Sequence, residues 1–516
     1  MKVSLTVNDF LSRGVTVFPD RLALVDEPEV PGSLGRITYR SLDKRVKNMA
    51  KTLEEMGVGI GERVAIISPN AGKFLVSYFG VSGYGRILVP VNYRLTADEV
   101  AYIVEHSGSQ VVLVDYEFAH LAAGLNVKEV IVLDGTSDAE LFRELPEGVS
   151  LPTEWEPDED FTCSINYTSG TTSRPKGVQL THRNVWTNAT TLALHTAVTD
   201  RDVLIHTLPM FHCNGWGMPY AVTGLGGTHV IQRKIDGESI LSRVESEGVT
   251  LACGAPAVWA ATLSAAEDRV ANQRAVPGRE EVRIVVAGAP PPSKVIERVE
   301  TELGWEFIQI YGLTETSPLL TVNRAPKEWD DLPISEKARL LSRAGTPAVG
   351  VEIKTDADGE VLARANHVFA GYWNQPKETE AALEGGWFRT GDGGYFKDGY
   401  LTIEDRKKDV IITGGENVSS IEVEDAIFQH PSVAEVAVIG VPSEKWGEEV
   451  KALVVLREGA SVSEDDLIAF CKARIAGYKC PKSVEFRTEL FRTATGKLQK
   501  YKLRDPYWEG LERRVN

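Results

Sequence analysis

The chain has 516 residues, too many for one hydrophobic core, so two or more domains are expected. An apolar fraction of 43% and a charged fraction of 25% are those of an ordinary globular protein and argue against disorder. A formal net charge of −17 argues against a nucleic-acid or anionic-membrane partner, because phosphate surfaces are bound by net positive ones.

The first residues, MKVSLTVNDF, hold no apolar run of the signal-peptide kind. No stretch approaches the ~18 uninterrupted apolar residues of a membrane span. Ser41 is a candidate cap for a helix that buries Leu42, Val46, Met49, Ala50, Leu53 and Met56 and stops at Gly57. Short apolar runs follow at Val64 to Ile67, Val111 to Val114, Val130 to Leu133 and Val282 to Val286. Such runs between turn signals read as strands buried on both faces, the habit of parallel sheets, and the alternation points to an α/β architecture. The charged run from Glu404 to Asp409 separates two apolar pieces, and fresh strand patterns follow at Val436 to Ile439 and Leu453 to Leu456. We therefore expect a large domain over 1–404 and a small one over 405–516. Between Lys479 and Arg504 there are 8 basic and 2 acidic residues, a local excess that suits a polyanionic small molecule or a solvated strip. The five cysteines (Cys163, Cys213, Cys253, Cys471, Cys480) are odd in number and unpaired in spacing, which fits a reducing cytoplasm and suggests no zinc site.

Residues 167–178 read YTSGTTSRPKGV. Thr168, Ser169, Gly170, Thr171 and Thr172 offer hydroxyls and unblocked backbone N–H groups, and Lys176 adds positive charge. Such a loop fits oxygen-rich anions, above all phosphates. Pro175 and Gly177 flank the lysine, so this is not a Walker A loop. Neither a GxGxxG turn after a strand nor a GxSxG elbow occurs.

This loop resembles the phosphate loop of the adenylate-forming superfamily, which holds acyl-CoA synthetases, aryl-CoA ligases and luciferases. Further blocks follow in the family's order: YGLTETSP (311–318), WFRTGD (387–392), DRKKDVIITGGENVSSIEVE (405–424) and TATGKLQK (493–500). The resemblance runs from FPDRLALVD (18–26) to the terminal lysine block. It implies stacked α/β sheets with a small β-barrel-like subdomain in the large domain. It also implies a small, mobile α+β C-terminal domain hinged near 405–409, at Lys408. The implied chemistry uses ATP, Mg2+ and coenzyme A: a carboxylate attacks the α-phosphate to give acyl-AMP and pyrophosphate, and a thiol then displaces AMP.

By the same resemblance, Thr168, Ser169, Gly170, Thr171, Thr172 and Lys176 hold phosphates, Glu315 ligates Mg2+ and Thr314 contacts the α-phosphate. Tyr311 with Gly312 stacks on adenine, flanked by Gly288, Ala289 and Pro290. Asp392 and Arg406 take the ribose. Lys497 bridges the α-phosphate and the acid in adenylation. Gly414, Gly415 and Glu416 line the pantetheine path. The block LPMFHCNGWGMPYA (208–221) resembles the segment before the acyl pocket, so His212 and Trp216 are expected near the substrate carboxylate, with Trp259, Ala287 and Gly312 as further wall. These wall residues bear no acidic or basic tail-binding group, so a medium-chain, short branched or aryl acid with an uncharged tail is expected.

Three readings stay open: a carboxylate–CoA ligase, an adenylating ligase with a non-CoA acceptor (carrier-protein thiol, amine, other nitrogen nucleophile or, as in luciferases, oxygen), and a non-catalytic nucleotide binder. Partners are small molecules, without nucleic acid or membrane span; oligomeric state stays open, a homodimer included. Ser173 stands where the family most often has glycine. If that position needs φ > 0, serine costs about 1 kcal/mol over glycine. Ser173→Gly is predicted to change the KM for ATP little in steady-state assays and to leave the reaction unaltered; a many-fold fall in turnover would reveal a function for the hydroxyl.

Overall fold

The computed structural model describes residues 1–153, 155–168, 174–406, 409–413, 416–443, 445–493 and 498–509. Six parallel strands make the centre of a nine-stranded sheet, in the spatial order Leu22–Val25, Thr228–Ile231, Val203–His206, Leu251–Gly254, Arg283–Val286 and Glu306–Gly312. Its borders are antiparallel: Arg36–Thr38 on one side, Leu319–Asn323 and Thr346–Pro347 on the other. A seven-stranded sheet has five parallel strands, Thr162–Thr168, Ile87–Val91, Arg63–Ile67, Ser109–Asp115 and Glu129–Leu133. Lys176–Thr181 and Gly371–Tyr372 extend it antiparallel at one side. The four apolar runs picked out in the sequence are all strands here.

Alternation along these strands builds the layers. In Leu251–Gly254, Leu251 and Cys253 face the main core, while Ala252 faces a second one. The main core also takes Val64, Leu88 and Leu113 from the seven-stranded sheet, so it lies between the two sheets. Helices such as Tyr39–Glu55, Gly72–Gly80 and His182–Thr196 fill that middle layer. Helices Gly237–Glu247 and Pro256–Ala271 cover the far face of the nine-stranded sheet. Helix Ala97–Ser107 covers the far face of the other.

The helix Tyr39–Glu55 buries Leu42, Val46, Met49, Ala50 and Leu53 as the periodicity requires, and Met56 packs at its edge. Each such side chain contributes about 1.5–3 kcal/mol by burial. Its cap is Thr38 rather than Ser41. Thr38 is extended, with ψ 167°, and its hydroxyl accepts from the Ser41 N–H. Ser41 sits in the first turn and donates to Glu144 at 2.5 Å. A β-branched residue closing the strand Arg36–Thr38 is already in the extended geometry a cap needs.

Beyond these sheets, Val351–Thr355, Glu360–Ala365, Phe388–Lys397 and Tyr400–Arg406 form an antiparallel meander. It is a half-barrel sheet, the barrel-like subdomain that the resemblance implied. A small C-terminal α+β unit follows. Strands Ile411–Thr413, Glu416–Val418, Val433–Ser443, Gly447–Leu456 and Ser483–Phe486 carry helices Ser420–Phe428 and Glu464–Lys472. It has its own core, with Val423, Ile427, Val438, Val454 and Leu467. Among the described residues no helix is long and apolar enough to cross a membrane.

Several histidines are buried within these layers. Burial lowers His206 to about 3 and both His182 and His367 to about 4. Each therefore binds its proton less readily folded than unfolded, where the usual value is about 6.5. The unfolded chain takes up more protons between pH ~6.5 and ~4, so the stability these groups contribute is present above ~6.5 and lost as pH falls through that window. The urea midpoint is predicted to fall steadily from pH 6.5 to 5; a level or rising midpoint would contradict this.

Candidate functional site

The carboxyl ends of parallel strands are where α/β sheets take ligands. Two of the predicted groups sit there side by side. Ala287, Gly288, Ala289 and Pro290 follow the strand Arg283–Val286, and Tyr311 and Gly312 end the adjacent strand Glu306–Gly312. Gly288 has φ +93°, which favours glycine. Gly312 is required for another reason: a Cβ there would lie 1.5 Å from the Pro318 carbonyl oxygen. The chain doubles back on itself at that point, through the single turn Thr314–Thr316 that carries Glu315. The Thr316 hydroxyl accepts from the Leu313 N–H at 2.9 Å and donates to the Pro318 carbonyl at 2.5 Å, pinning both ends of the turn.

The structure brings Glu315 and Lys176 to one side chain that the sequence did not mark. Tyr372, in the short strand Gly371–Tyr372, donates from its hydroxyl to Glu315 Oε1 at 2.9 Å. The Lys176 ammonium lies 4.7 Å from the centroid of the same ring. Burial, and then the neighbouring Glu315 carboxylate, push the Tyr372 phenol far above its ordinary range, so it stays a donor. Phe369 N–H also donates to the Glu315 carbonyl at 2.8 Å. Thr168 pairs with Lys176 in register, so the two ends of the phosphate-type loop are held together at the base of a hairpin. Ser169, Gly170, Thr171, Thr172 and Ser173 lie outside the described residues, as do Lys408, Gly414, Gly415 and Lys497.

Tyr311 and Asp392 also meet. The phenol donates to Asp392 Oδ2 at 2.8 Å, and Asp392 is buried. Arg406 stands opposite Asp392 in the ladder of the half-barrel; its side chain lies outside the described residues. Glu416 is exposed at the start of its strand in the C-terminal unit.

On the proposed acid side, His212 is half-buried and precedes a turn of unusual backbone. Cys213, Asn214, Gly215, Trp216 and Gly217 all have positive φ (46°, 50°, 59°, 60° and 83°). Trp216 is sunk into the main core, being 3% exposed. The Cys213 thiol reaches the Thr314 carbonyl at 3.9 Å, placing this turn against the Glu315 turn. Asn214 Nδ2 donates to Ser164 Oγ at 2.8 Å, and Asn70 Oδ1 accepts from Met210 N–H at 2.7 Å. Asn70 and Tyr372 stand outside the blocks picked out in the sequence; their work is visible only once the chain is folded.

One expectation is corrected. Trp259 does not join Trp216 and Ala287. It projects from helix Pro256–Ala271 into the core on the opposite face of the nine-stranded sheet, fully buried beside Trp305 at 6.5 Å. The third position after Pro256 is the one that the helix turns onto the sheet. The basic strip is largely paired among its described residues. Five of its bases are in ion pairs: Lys479–Glu422 at 2.6 Å, Arg487–Glu485 at 2.7 Å, Arg492–Glu435 at 2.6 Å, Lys500–Glu424 at 2.8 Å and Arg504–Asp409 at 2.8 Å. Their acidic partners come from outside the 479–504 stretch in four of the five cases, which a local charge count misses.

The family model described as AMP-binding enzyme matches residues 11–373, and that described as AMP-binding enzyme C-terminal domain matches 422–497. A 4-hydroxybutyrate–CoA ligase 2 of Metallosphaera sedula is 38% identical, with 96% of this chain and 93% of that protein covered. The 2-methylpropanoate–CoA ligase CCL4 of Humulus lupulus is 35% identical, with 97% and 95% covered. The crystal structure of the anthranilate CoA ligase AuaEII in complex with anthranoyl-AMP is similar with a TM-score of 0.87 at 26% identity, covering 98% of each chain.

Gly312→Ala is predicted to force the Glu315 turn apart and to cost about 3 kcal/mol of stability, as overpacking against rigid backbone does. Urea unfolding checks this; an unchanged midpoint would show that the turn yields more easily than its geometry implies.

Proposed function

The chain belongs to the AMP-binding enzyme family, and we propose that it works as an AMP-forming carboxylate–CoA ligase on a medium-chain, short branched or aryl acid with an uncharged tail. The observation that carries the reading is the meeting of Glu315, Tyr372 and Lys176, which sets a carboxylate and a cation at the base of the phosphate-type loop. The relatives named for 4-hydroxybutyrate and 2-methylpropanoate support a small acid.

A free carboxylate is a poor acyl donor, because its charge repels nucleophiles and oxide does not leave. Attack of the acid's oxygen on the α-phosphate of ATP makes a mixed anhydride and expels pyrophosphate. Two anions must meet in that step, so the protein's main task is positioning and positive charge. Lys176, with Thr168, Ser169, Gly170, Thr171 and Thr172, is proposed to hold the β- and γ-phosphates. Thr314 would contact the α-phosphate. Among the described residues no group of three or more His, Cys, Asp or Glu is placed to hold a metal. A single carboxylate, Glu315, fits a Mg2+ ion whose other ligands are phosphate oxygens and water. Bound there, the ion would offset phosphate charge, while the Tyr372 hydrogen bond fixes the position of the Glu315 carboxylate.

Tyr311 would lie along adenine, edged by Gly312 and the Gly288–Pro290 turn. Its hydroxyl already orients Asp392, whose two oxygens suit the vicinal ribose hydroxyls, and Arg406 would assist. His212, Trp216 and Ala287 would bound the acid. Lys497 would neutralise charge between acid and α-phosphate. With the C-terminal unit turned about Lys408, Gly414, Gly415 and Glu416 would then line the path of the CoA thiol. All five cysteines are buried and free, which supports a reducing compartment such as the cytoplasm.

Pyrophosphate release over a panel of carboxylic acids, with and without CoA, tests the reading. Acid-dependent pyrophosphate with an acyl-CoA product is expected, and pyrophosphate without acyl-CoA would point to another acceptor. Lys497→Ala is predicted to lose adenylation by about 10²–10³-fold while still turning supplied acyl-AMP and CoA into thioester; equal loss of both steps would contradict two separate poses. Tyr372→Phe is predicted to raise the Mg·ATP KM about tenfold, the loss of one charge-assisted hydrogen bond, with the acid KM little changed.

A further inference from the structure

The acid-side turn and the Glu315 segment converge on a residue that belongs to neither. Asn188 lies on helix His182–Thr196 and is fully buried. Its Nδ2 donates to the Trp216 carbonyl at 3.0 Å, and its Oδ1 accepts from the Leu319 N–H at 3.1 Å. One partner is an acceptor and the other a donor, so the orientation of the amide is fixed by its neighbours. Trp216 is inside the left-handed turn, and Leu319 begins the strand that leaves the Glu315 turn. A single planar group therefore spans the two.

The fit is close on both sides. Gly217 has φ +83°, and a Cβ there would stand 2.5 Å from Asn188 Nδ2. The glycine permits the turn, and the asparagine occupies the room the glycine leaves. On the other side, Leu319 is held twice. Its N–H goes to Asn188, and its carbonyl accepts from His367 Nε2 at 2.6 Å. Ser317 Oγ donates to the His367 carbonyl at 2.9 Å, so the segment just after Glu315 has little freedom to shift. The thiol contact from Cys213 to Thr314 is a second, weaker link between the same two turns.

We infer that Asn188 is a positioning residue that sets the distance between the acid-binding turn and the Glu315 turn. It touches no reacting atom; it acts through Trp216 and Leu319. The inference rests on the proposed function, in which the two turns hold the two reactants. In-line attack demands reacting atoms about 3–3.5 Å apart, and a misplacement of about 1 Å costs about 100-fold. Hydrophobic packing alone tolerates such slips; a bridging amide with both partners in fixed backbone does not.

Two variants separate the bonds. Asn188→Ala removes both, whereas Asn188→Asp keeps an acceptor for Leu319 and sets an oxygen against the Trp216 carbonyl. Acid-dependent pyrophosphate release is measured for each, varying acid and Mg·ATP separately, beside a thermal melt. The expected result is a fall of about 10–100-fold in kcat/KM for the acid, with the ATP KM within about twofold of wild type. A purely structural residue would lower the melting midpoint and leave both kinetic constants unchanged at a permissive temperature, which would overturn the inference. Equal weakening toward acid and ATP would overturn it too. Should neither variant fold, Asn188→Gln carries the same readout, and failure of all three to fold would make the residue structural. Wild-type protein without acid-dependent pyrophosphate release would bring down the functional reading itself, a result distinct from any of these.

Discussion

Five consecutive residues at positive φ, Cys213 to Gly217, are the constraint around which the centre of the molecule is arranged. Three of them are not glycine, and L-residues in that region cost roughly 1–2 kcal/mol each. Such a turn persists only when its surroundings over-determine it. Here they do. Trp216 is sunk into the core, and burying its ring is among the largest single apolar gains a side chain offers. Asn188 takes the Trp216 carbonyl and Asn214 reaches Ser164, so polar groups that the turn drags inside find partners. The strain is local, and the interactions that offset it come from the core, from helix His182–Thr196 and from strand Thr162–Thr168.

That explains why two sheets are needed. Ser164 belongs to the strand that leads into the phosphate-type loop in the seven-stranded sheet, while the turn follows the strand Val203–His206 of the nine-stranded one. Asn70, just beyond the strand Arg63–Ile67, crosses the same gap. Its Nδ2 faces the carbonyls of His206 at 2.7 Å and Leu208 at 3.1 Å, and its Oδ1 takes the Met210 N–H. Tyr78 donates to the Met210 carbonyl at 2.5 Å. A seam of side-chain amides and one phenol thus fixes how the two sheets meet where their strands end. Apolar packing brings the sheets together without choosing a register between them; directional bonds to backbone choose it.

This division also marks what the sequence revealed. Strand runs such as Val64 to Ile67 and Val111 to Val114 are legible because burial on both faces demands unbroken apolar residues. The helix Tyr39–Glu55 is legible from its stripe, though its cap is Thr38, because competing hydroxyls three residues apart look alike in sequence. The loop at 167–178 and the block 311–316 are legible because phosphate chemistry restricts which residues can serve. Asn70, Asn188 and Tyr372 are not legible: one buried amide or phenol has no periodicity, and its value depends on partners 28 to 140 residues away. Trp259 was misplaced for the converse reason. Nearness in sequence to a strand end does not say which face of the sheet a helical side chain returns to.

The C-terminal unit follows the same logic with charges instead of amides. Lys500 pairs with Glu424 at 2.8 Å, contacts Ser420 Oγ, and stands 4.0 Å from Asp405. Asp405 in turn accepts from the Ser420 N–H at 2.7 Å. Burial raises both carboxyls above their usual range; burial alone would lower Lys500, and the two carboxylates outweigh it. Each partner is tolerable inside only because the others are present, so the cluster is cooperative and its members stay together. Asp405 lies three residues before the proposed hinge, and Lys500 three after the proposed catalytic lysine. Asp405 precedes the hinge position while Ser420, Glu424 and Lys500 follow it, so the contacts of Asp405 with Ser420 and Lys500 bridge the two sides of the proposed hinge and oppose its turning.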